Sequence, residues 1–121
     1  MPRLLKRTLS VAVFVNVVGA LTFFPSADLL RRLLGIPLAS TFYLLLVSYW
    51  LFLFAGFFWW MLRRDVANEG VLLLSALGKL SFAALIVAHV VSGQMGVLML
   101  VAAIIDGAIA VLFLRFVGNR L

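Results

Sequence analysis

Four apolar runs, at residues 9–24, 41–62, 71–91 and 96–117, fill most of this 121-residue chain and leave only short polar breaks between them. Each is close to the roughly 20 residues that an α-helix needs to cross about 30 Å of hydrocarbon at 1.5 Å per residue. The first run, "LSVAVFVNVVGALTFF", is the shortest; it reaches full length if Leu4 and Leu5 extend it, and it ends at Pro25. With 66% hydrophobic and 12% charged residues, the composition lies far from that of a soluble domain. The expected fold is all-α, a polytopic antiparallel bundle of four transmembrane helices in one membrane domain, residues 1–121. A basic leader, "MPRLLKRT", before an apolar core would also fit a signal peptide, but Asn16 interrupts that core and no small-x-small cleavage site follows it.

The charges sort by position. Arg3, Lys6 and Arg7 precede the first span, Arg63 and Arg64 follow the second, and Arg115 and Arg120 close the fourth, so all seven fall on one side. The opposite side receives only Arg31 and Arg32, and the turn "SGQMG" carries no charge. Because Lys and Arg beside span ends are retained on the cytoplasmic side, both termini are expected there. The net charge of +6 therefore reads as topology and lipid headgroup contact, with the bilayer as partner and nucleic acid excluded. Cysteine is absent, which excludes disulfide exchange, thiolate catalysis and thiolate-bound metals.

Between the first two spans lies "PSADLLRRLLGIPLAS". Ser26 is a good N-cap, Asp28 falls in the first turn, Leu29, Leu30, Leu33 and Leu34 recur at helical spacing, and Gly35 with Pro37 supplies a stop. The pattern predicts a short interfacial helix at about residues 27–35, flat on the outer surface, with Arg31 and Arg32 turned to phosphates. At the other face, Trp59 and Trp60 just before Arg63 and Arg64 read as interfacial anchors.

Two charges remain inside the spans. Lys79 in "LGKLSFAALIVAH" and Asp106 in "LMLVAAIIDGAIAVLF" belong to the third and fourth spans. A hairpin turn centred on Ser92 and Gly93 places them at equal depth, about 12 to 16 Å from the cytoplasmic ends at helical rise. An unpaired ammonium at such depth costs at least about 2.5 kcal/mol, so an ion pair is the expected solution. Asn16 in the first span lies in the same layer and would complete its hydrogen bonding. Gly78 and Gly107 flank the charges, and Ser75, Ala76, Ala83, Ala102, Ala103 and Ala110, with Ala55 and Gly56 in the second span, predict close helix approach. Tyr43, Tyr49 and Ser48 are expected to pack in the interfacial belt and His89, near Gln94, to be a hydrogen-bonded interfacial side chain; the alternative is a second, outer polar layer that joins them. His89 could also hold a haem, chlorophyll or metal through one nitrogen, although no second ligand accompanies it. Asp65 and Glu69 read as solvated loop charges near Arg63 and Arg64.

The basic turn after the second span, followed by "LLLSALGKLSFAALIVAH", "SGQ" and "AIIDGAIAVLFLRF", resembles small four-span bacterial membrane proteins of the DoxX-like kind. The resemblance covers about the second half of the chain and rests on the glycine-lysine and aspartate positions. It implies an inner-membrane four-helix bundle and no particular activity. "FVNVVGA" is similar to the asparagine-bearing span of fluoride channels, but their Thr/Ser/Phe-rich filter has no counterpart here. Small multidrug exporters carry a glutamate in the first span, where this chain has Asn16.

No phosphate-binding loop, two-histidine metal site or nucleophile with its base is present in the sequence, so no catalytic residue is expected. The leading expectation is a non-catalytic membrane subunit or assembly factor without cofactor. It would present the aromatic second span, "YWLFLFAGFFWW", and the outer helix to other subunits of a larger complex. The alternatives are a small dimeric proton- or ion-coupled transporter using Asp106 and Lys79, and a pigment or haem subunit using His89.

Overall fold

The computed structural model describes residues 1–120, with the side chain of Arg120 and all of Leu121 outside that description. The chain is helical, with no strand among the described residues, and four helices are long and apolar enough to cross a membrane. They are α1 (Arg3–Phe23), α3 (Thr41–Arg64), α4 (Glu69–Val91) and α5 (Met99–Arg120); a 3-10 turn, Pro25–Ala27, and the short α2 (Asp28–Leu33) lie between α1 and α3. The four long helices form the antiparallel bundle that the spacing predicts.

Local chemistry sets the boundaries. Leu4 and Leu5 do join the first span, so Arg3, Lys6 and Arg7 ride on the opening turns of α1. Pro25 then forces Phe24 into an extended conformation (φ −64°, ψ 139°) and ends the helix. Ser40 caps α3 by accepting from the Tyr43 N–H at 3.4 Å, and Asn68 caps α4 by accepting from the Val71 N–H at 3.0 Å. The α4–α5 connection is longer than the expected turn, because α5 begins at Met99 after turn-type hydrogen bonds over residues 96–101. Asp65 is not a free loop charge. Its carboxylate lies 3.3 Å from Lys6 Nζ, and that hydrogen bond with its charge holds the carboxyl below the usual carboxylate range. The pair fixes the end of α3 against the start of α1, and its exposure keeps its energetic weight small.

The outer helix differs from expectation in three ways. It is shorter than residues 27–35, Ser26 lies within the 3-10 turn, and Ala27 occupies the cap position with no side-chain bond. Arg31 does not face phosphates. It is buried, and its guanidinium donates to the carbonyls of Thr22 and Pro25, each at 3.1 Å, and of Phe24. The reason is the need of α1's C-terminus, whose last carbonyls have no intrahelical donor and favour a cation. Only Arg32 stays outside, paired with Asp28 one turn earlier, beside exposed Leu29, Leu30 and Leu33. Arg31→Met should therefore cost about 2–3 kcal/mol, whereas Arg32→Ala should change stability by less than about 0.5 kcal/mol. Thermal unfolding in mild detergent distinguishes them, and equal effects would refute the capping role of Arg31.

Packing divides the bundle into two hairpins. α1 packs on α3 and α4 on α5, while α1 and α5 form a lesser contact between the pairs. Near the termini all four helices converge on one apolar cluster that includes Leu9, Phe58, Met61, Leu72, Ala110 and Phe113, with the Phe58 and Phe113 rings 5.6 Å apart. A smaller cluster of Ile86, Met99 and Ala103 lies toward the other end, covered by Leu34 and Ile36 from the segment after α2. There Gly35, at φ +69°, accepts through its carbonyl from the Gly96 N–H at 3.2 Å, clasping that segment to the α4–α5 connection. The small residues at the contacts are Ala55, Ser75, Ala76, Ala103 and Ala110, all buried. Gly56, Gly78 and Gly107, predicted to mark close approach, instead face open space, with no atom within 4 Å of an added Cβ.

Candidate functional site: a polar triad across four helices

Heptad-like phase explains why polar side chains reach the bundle interior. On α5 the buried positions Met99, Ala103, Asp106, Ala110, Phe113 and Val117 alternate by four and three, the seam of a helix packed on a neighbour. Leu5, Leu9, Ala12 and Asn16 follow the same phase on α1, as do Leu72, Ala76 and Lys79 on α4. Asn16, Lys79 and Asp106 thus occupy interior positions that leucine or alanine would otherwise fill. The seam phase shows in the burial of these helices and not in their sequence, because the spans are apolar nearly all round.

They meet at one point. Lys79 Nζ donates to Asp106 Oδ1 at 2.9 Å and to Asn16 Oδ1 at 2.8 Å. Asn16 Nδ2 donates in turn to the Leu51 carbonyl of α3 at 3.3 Å. This orientation of the carboxamide is the only one that works, because an ammonium cannot accept and a carbonyl cannot donate. One polar chain therefore touches all four long helices and bridges the two hairpins. The Leu51 carbonyl had no signature in the sequence, since its role is a backbone one. The lysine and aspartate side chains are 9% and 10% exposed, and they lie between the two apolar clusters. In a medium this apolar each charge requires the other, and the asparagine supplies the second acceptor that a buried ammonium demands.

Two cavities of about 310 Å³ each flank the triad. One lies between α3 and α4, lined by Trp50, Phe54, Phe58, Ser75, Gly78 and Lys79 among others, Asn16 and Asp106 included. The other lies between α1 and α5, where Asn16 and Asp106 appear again among apolar side chains such as Phe14, Val18 and Ile105. Ser75 Oγ is the one fully enclosed side-chain polar atom among the described residues that has no hydrogen-bond partner.

The outer polar layer does not assemble. His89 Nδ1 bonds the Leu85 carbonyl, one turn back on its own helix, at 2.7 Å. Ser48 Oγ donates to the Ala20 carbonyl at 2.8 Å and so belongs to the α1–α3 seam. Tyr43 and Tyr49 are exposed, with Tyr49 edge-on to Trp50 and Tyr43 edge-on to Phe42, and Gln94 is exposed in the α4–α5 connection. Their hydroxyls and amide therefore share no site with His89. No group of three His, Cys, Asp or Glu side chains that could hold a metal occurs among the described residues. At the α3 terminus Trp59 and Trp60 are exposed beside Arg63 and Arg64, and the Arg63 guanidinium lies 5.1 Å from the Trp59 ring centre.

Neither family models, nor characterised proteins, nor solved structures give a match to this chain.

Proposed function

We propose that the protein is a non-catalytic membrane subunit, an assembly or stabilising factor that docks on a larger membrane complex through α3. The observation that supports this reading is the state of α3, which is buried over only 22% of its apolar window and exposes Phe42, Trp50, Phe52, Phe57, Trp59 and Trp60. A helix so rich in aromatic rings, apolar all round and packed chiefly on α1, offers a broad surface either to lipid or to another membrane protein, and on this reading a protein partner covers it. The triad fits the same reading, because its acid and base satisfy each other and leave no free catalytic group. The DoxX-like resemblance of the second half, on Gly78, Lys79 and Asp106, agrees with a small bacterial bundle. Gentle solubilisation of native membranes and affinity purification should yield a stoichiometric complex with a larger membrane protein. A lone homodimer that moves protons or ions in liposomes would instead support the rival reading, a small coupled transporter. That rival draws on the two cavities that meet at Asp106 and Asn16.

The proposed setting is a bacterial inner membrane with both termini in the cytoplasm. The basic side chains support it, since the end bearing Arg31 and Arg32 now has one of them buried and the other paired with Asp28. The absence of cysteine makes the test direct. Val66→Cys should resist a membrane-impermeant maleimide in intact spheroplasts, and Leu38→Cys should react; the reverse pattern inverts the assignment.

A further inference from the structure

We infer that the cavity between α3 and α4 binds a neutral, lipid-soluble molecule that carries a carbonyl within its apolar part, held by Ser75 and Lys79. The site stands independently of the subunit reading. Four observations carry it.

The first is access. α3 and α4 belong to different hairpins and do not pack on each other beside the triad, so the cavity lies at the flank of the bundle. Its volume of about 310 Å³ is at the lower end of the range for small-molecule sites, and its walls are apolar and aromatic.

The second is the hydroxyl of Ser75. Thr8, Ser10, Thr22 and Ser81 all donate to the carbonyl four residues back, at 2.8–2.9 Å. Ser75 lines the cavity, is 5% exposed and makes no such bond. An enclosed hydroxyl without a partner is unfavourable, and an acceptor in the cavity that Ser75 lines would satisfy it.

The third is Lys79, one turn further along α4, which has used two of its three N–H donors. Two donors on one wall select an acceptor with two lone pairs, which a carbonyl oxygen provides. Charge completes the selection: Lys79 and Asp106 already neutralise each other, so a carboxylate would arrive as an uncompensated buried charge beside Asp106.

The fourth is depth. Ser75 and Lys79 lie six and ten residues into α4, about 9 and 15 Å along it. The carbonyl must therefore sit inside the hydrocarbon, below the headgroup region where ordinary lipids keep their polar groups.

The test uses the full-length protein in lipid nanodiscs and a hexadecane chain bearing one mid-chain ketone and a photoreactive diazirine. Mass spectrometry should find the label on peptides covering residues 46–58 and 74–82. An unlabelled mid-chain ketone of hexadecane should compete better than hexadecane itself by about 3- to 10-fold, the weight of one or two hydrogen bonds. Ser75→Ala, which removes an atom and cannot obstruct folding sterically, should erase most of that advantage, and Ser75→Phe should abolish labelling of both peptides. Equal competition by ketone and hexadecane overturns the proposal, leaving an apolar crevice that any chain fills. It is also overturned if Ser75→Ala keeps the ketone's advantage or if the label falls on other helices.

Discussion

Asp106→Leu alone should leave little folded protein, and adding Lys79→Met should restore most of it. The single change strands an ammonium among apolar side chains with only the Asn16 carbonyl for company. Breaking a buried pair from one side costs about 3–5 kcal/mol, a large part of the roughly 5–15 kcal/mol that holds a typical domain together. Removing both partners takes away the pair and its desolvation penalty together, so the double variant should lie within about 1–2 kcal/mol of the parent. Folded fraction by gel filtration in mild detergent, followed by thermal unfolding, gives the ranking. A double variant no better than the single one would mean that the pair is not the unit of stability. The charge swap, Lys79→Asp with Asp106→Lys, should recover only part of the loss. A carboxylate at position 79 would face Asn16 Oδ1, and turning the carboxamide over would set its oxygen against the Leu51 carbonyl at 3.3 Å. The asparagine thus gives the layer a polarity as well as a third member.

Most of this layer could be read from the sequence, for a physical reason. Buried charges at bilayer depth have few solutions, so Lys79 and Asp106 in one helical hairpin name each other, and Asn16 is the one strongly polar residue within the first apolar run. The depth count succeeded even though its turn was wrong. The connection runs to Met99, yet the pair forms at 2.9 Å because a flexible lysine stem tolerates shifts along the helix axis. What failed was what depends on the backbone. Arg31 looks identical to Arg32 in a string of residues, and only the path of the chain after Pro25 brings it beneath the carbonyls of Thr22, Phe24 and Pro25. The same holds for glycine. Small residues predict close approach, but Gly78 and Gly107 flank the seam positions without occupying them, so they turn outward while Ser75, Ala76, Ala103 and Ala110 make the contacts. The outer layer of His89, Ser48 and Tyr49 shared a depth but not a helix pair, and depth alone does not bring residues together.

Gly96→Ala is the other change expected to be severe, and it tests whether the two hairpins are held at that end by backbone contact. A Cβ there would run into the Leu34 carbonyl oxygen and lie 3.0 Å from its carbon, so the clash is with main chain that no rotamer can relieve. Gly35 is constrained twice: its φ of +69° costs a residue with a side chain about 1–2 kcal/mol, and its Cβ would meet Gly96 N at 2.6 Å. Either alanine must push the segment after α2 away from the α4–α5 connection, exposing Ile86, Met99 and Ala103 where Leu34 and Ile36 now cover them. A loss of about 3 kcal/mol or more is expected for each, near the upper end for single substitutions. Gly78→Ala and Gly107→Ala are the matched controls, because open space surrounds both positions and alanine favours the helix by up to about 1 kcal/mol. Thermal unfolding of the four variants should therefore split them into two destabilised and two neutral or stabilised. If Gly96→Ala unfolds with the controls, the clasp is dispensable, and the triad with the apolar cluster around Phe58 and Phe113 is enough to join the hairpins. If it unfolds early while the Lys79–Asp106 double variant does not, the backbone contact is the stronger of the two joints, and the polar layer is free to serve the cavity beside it.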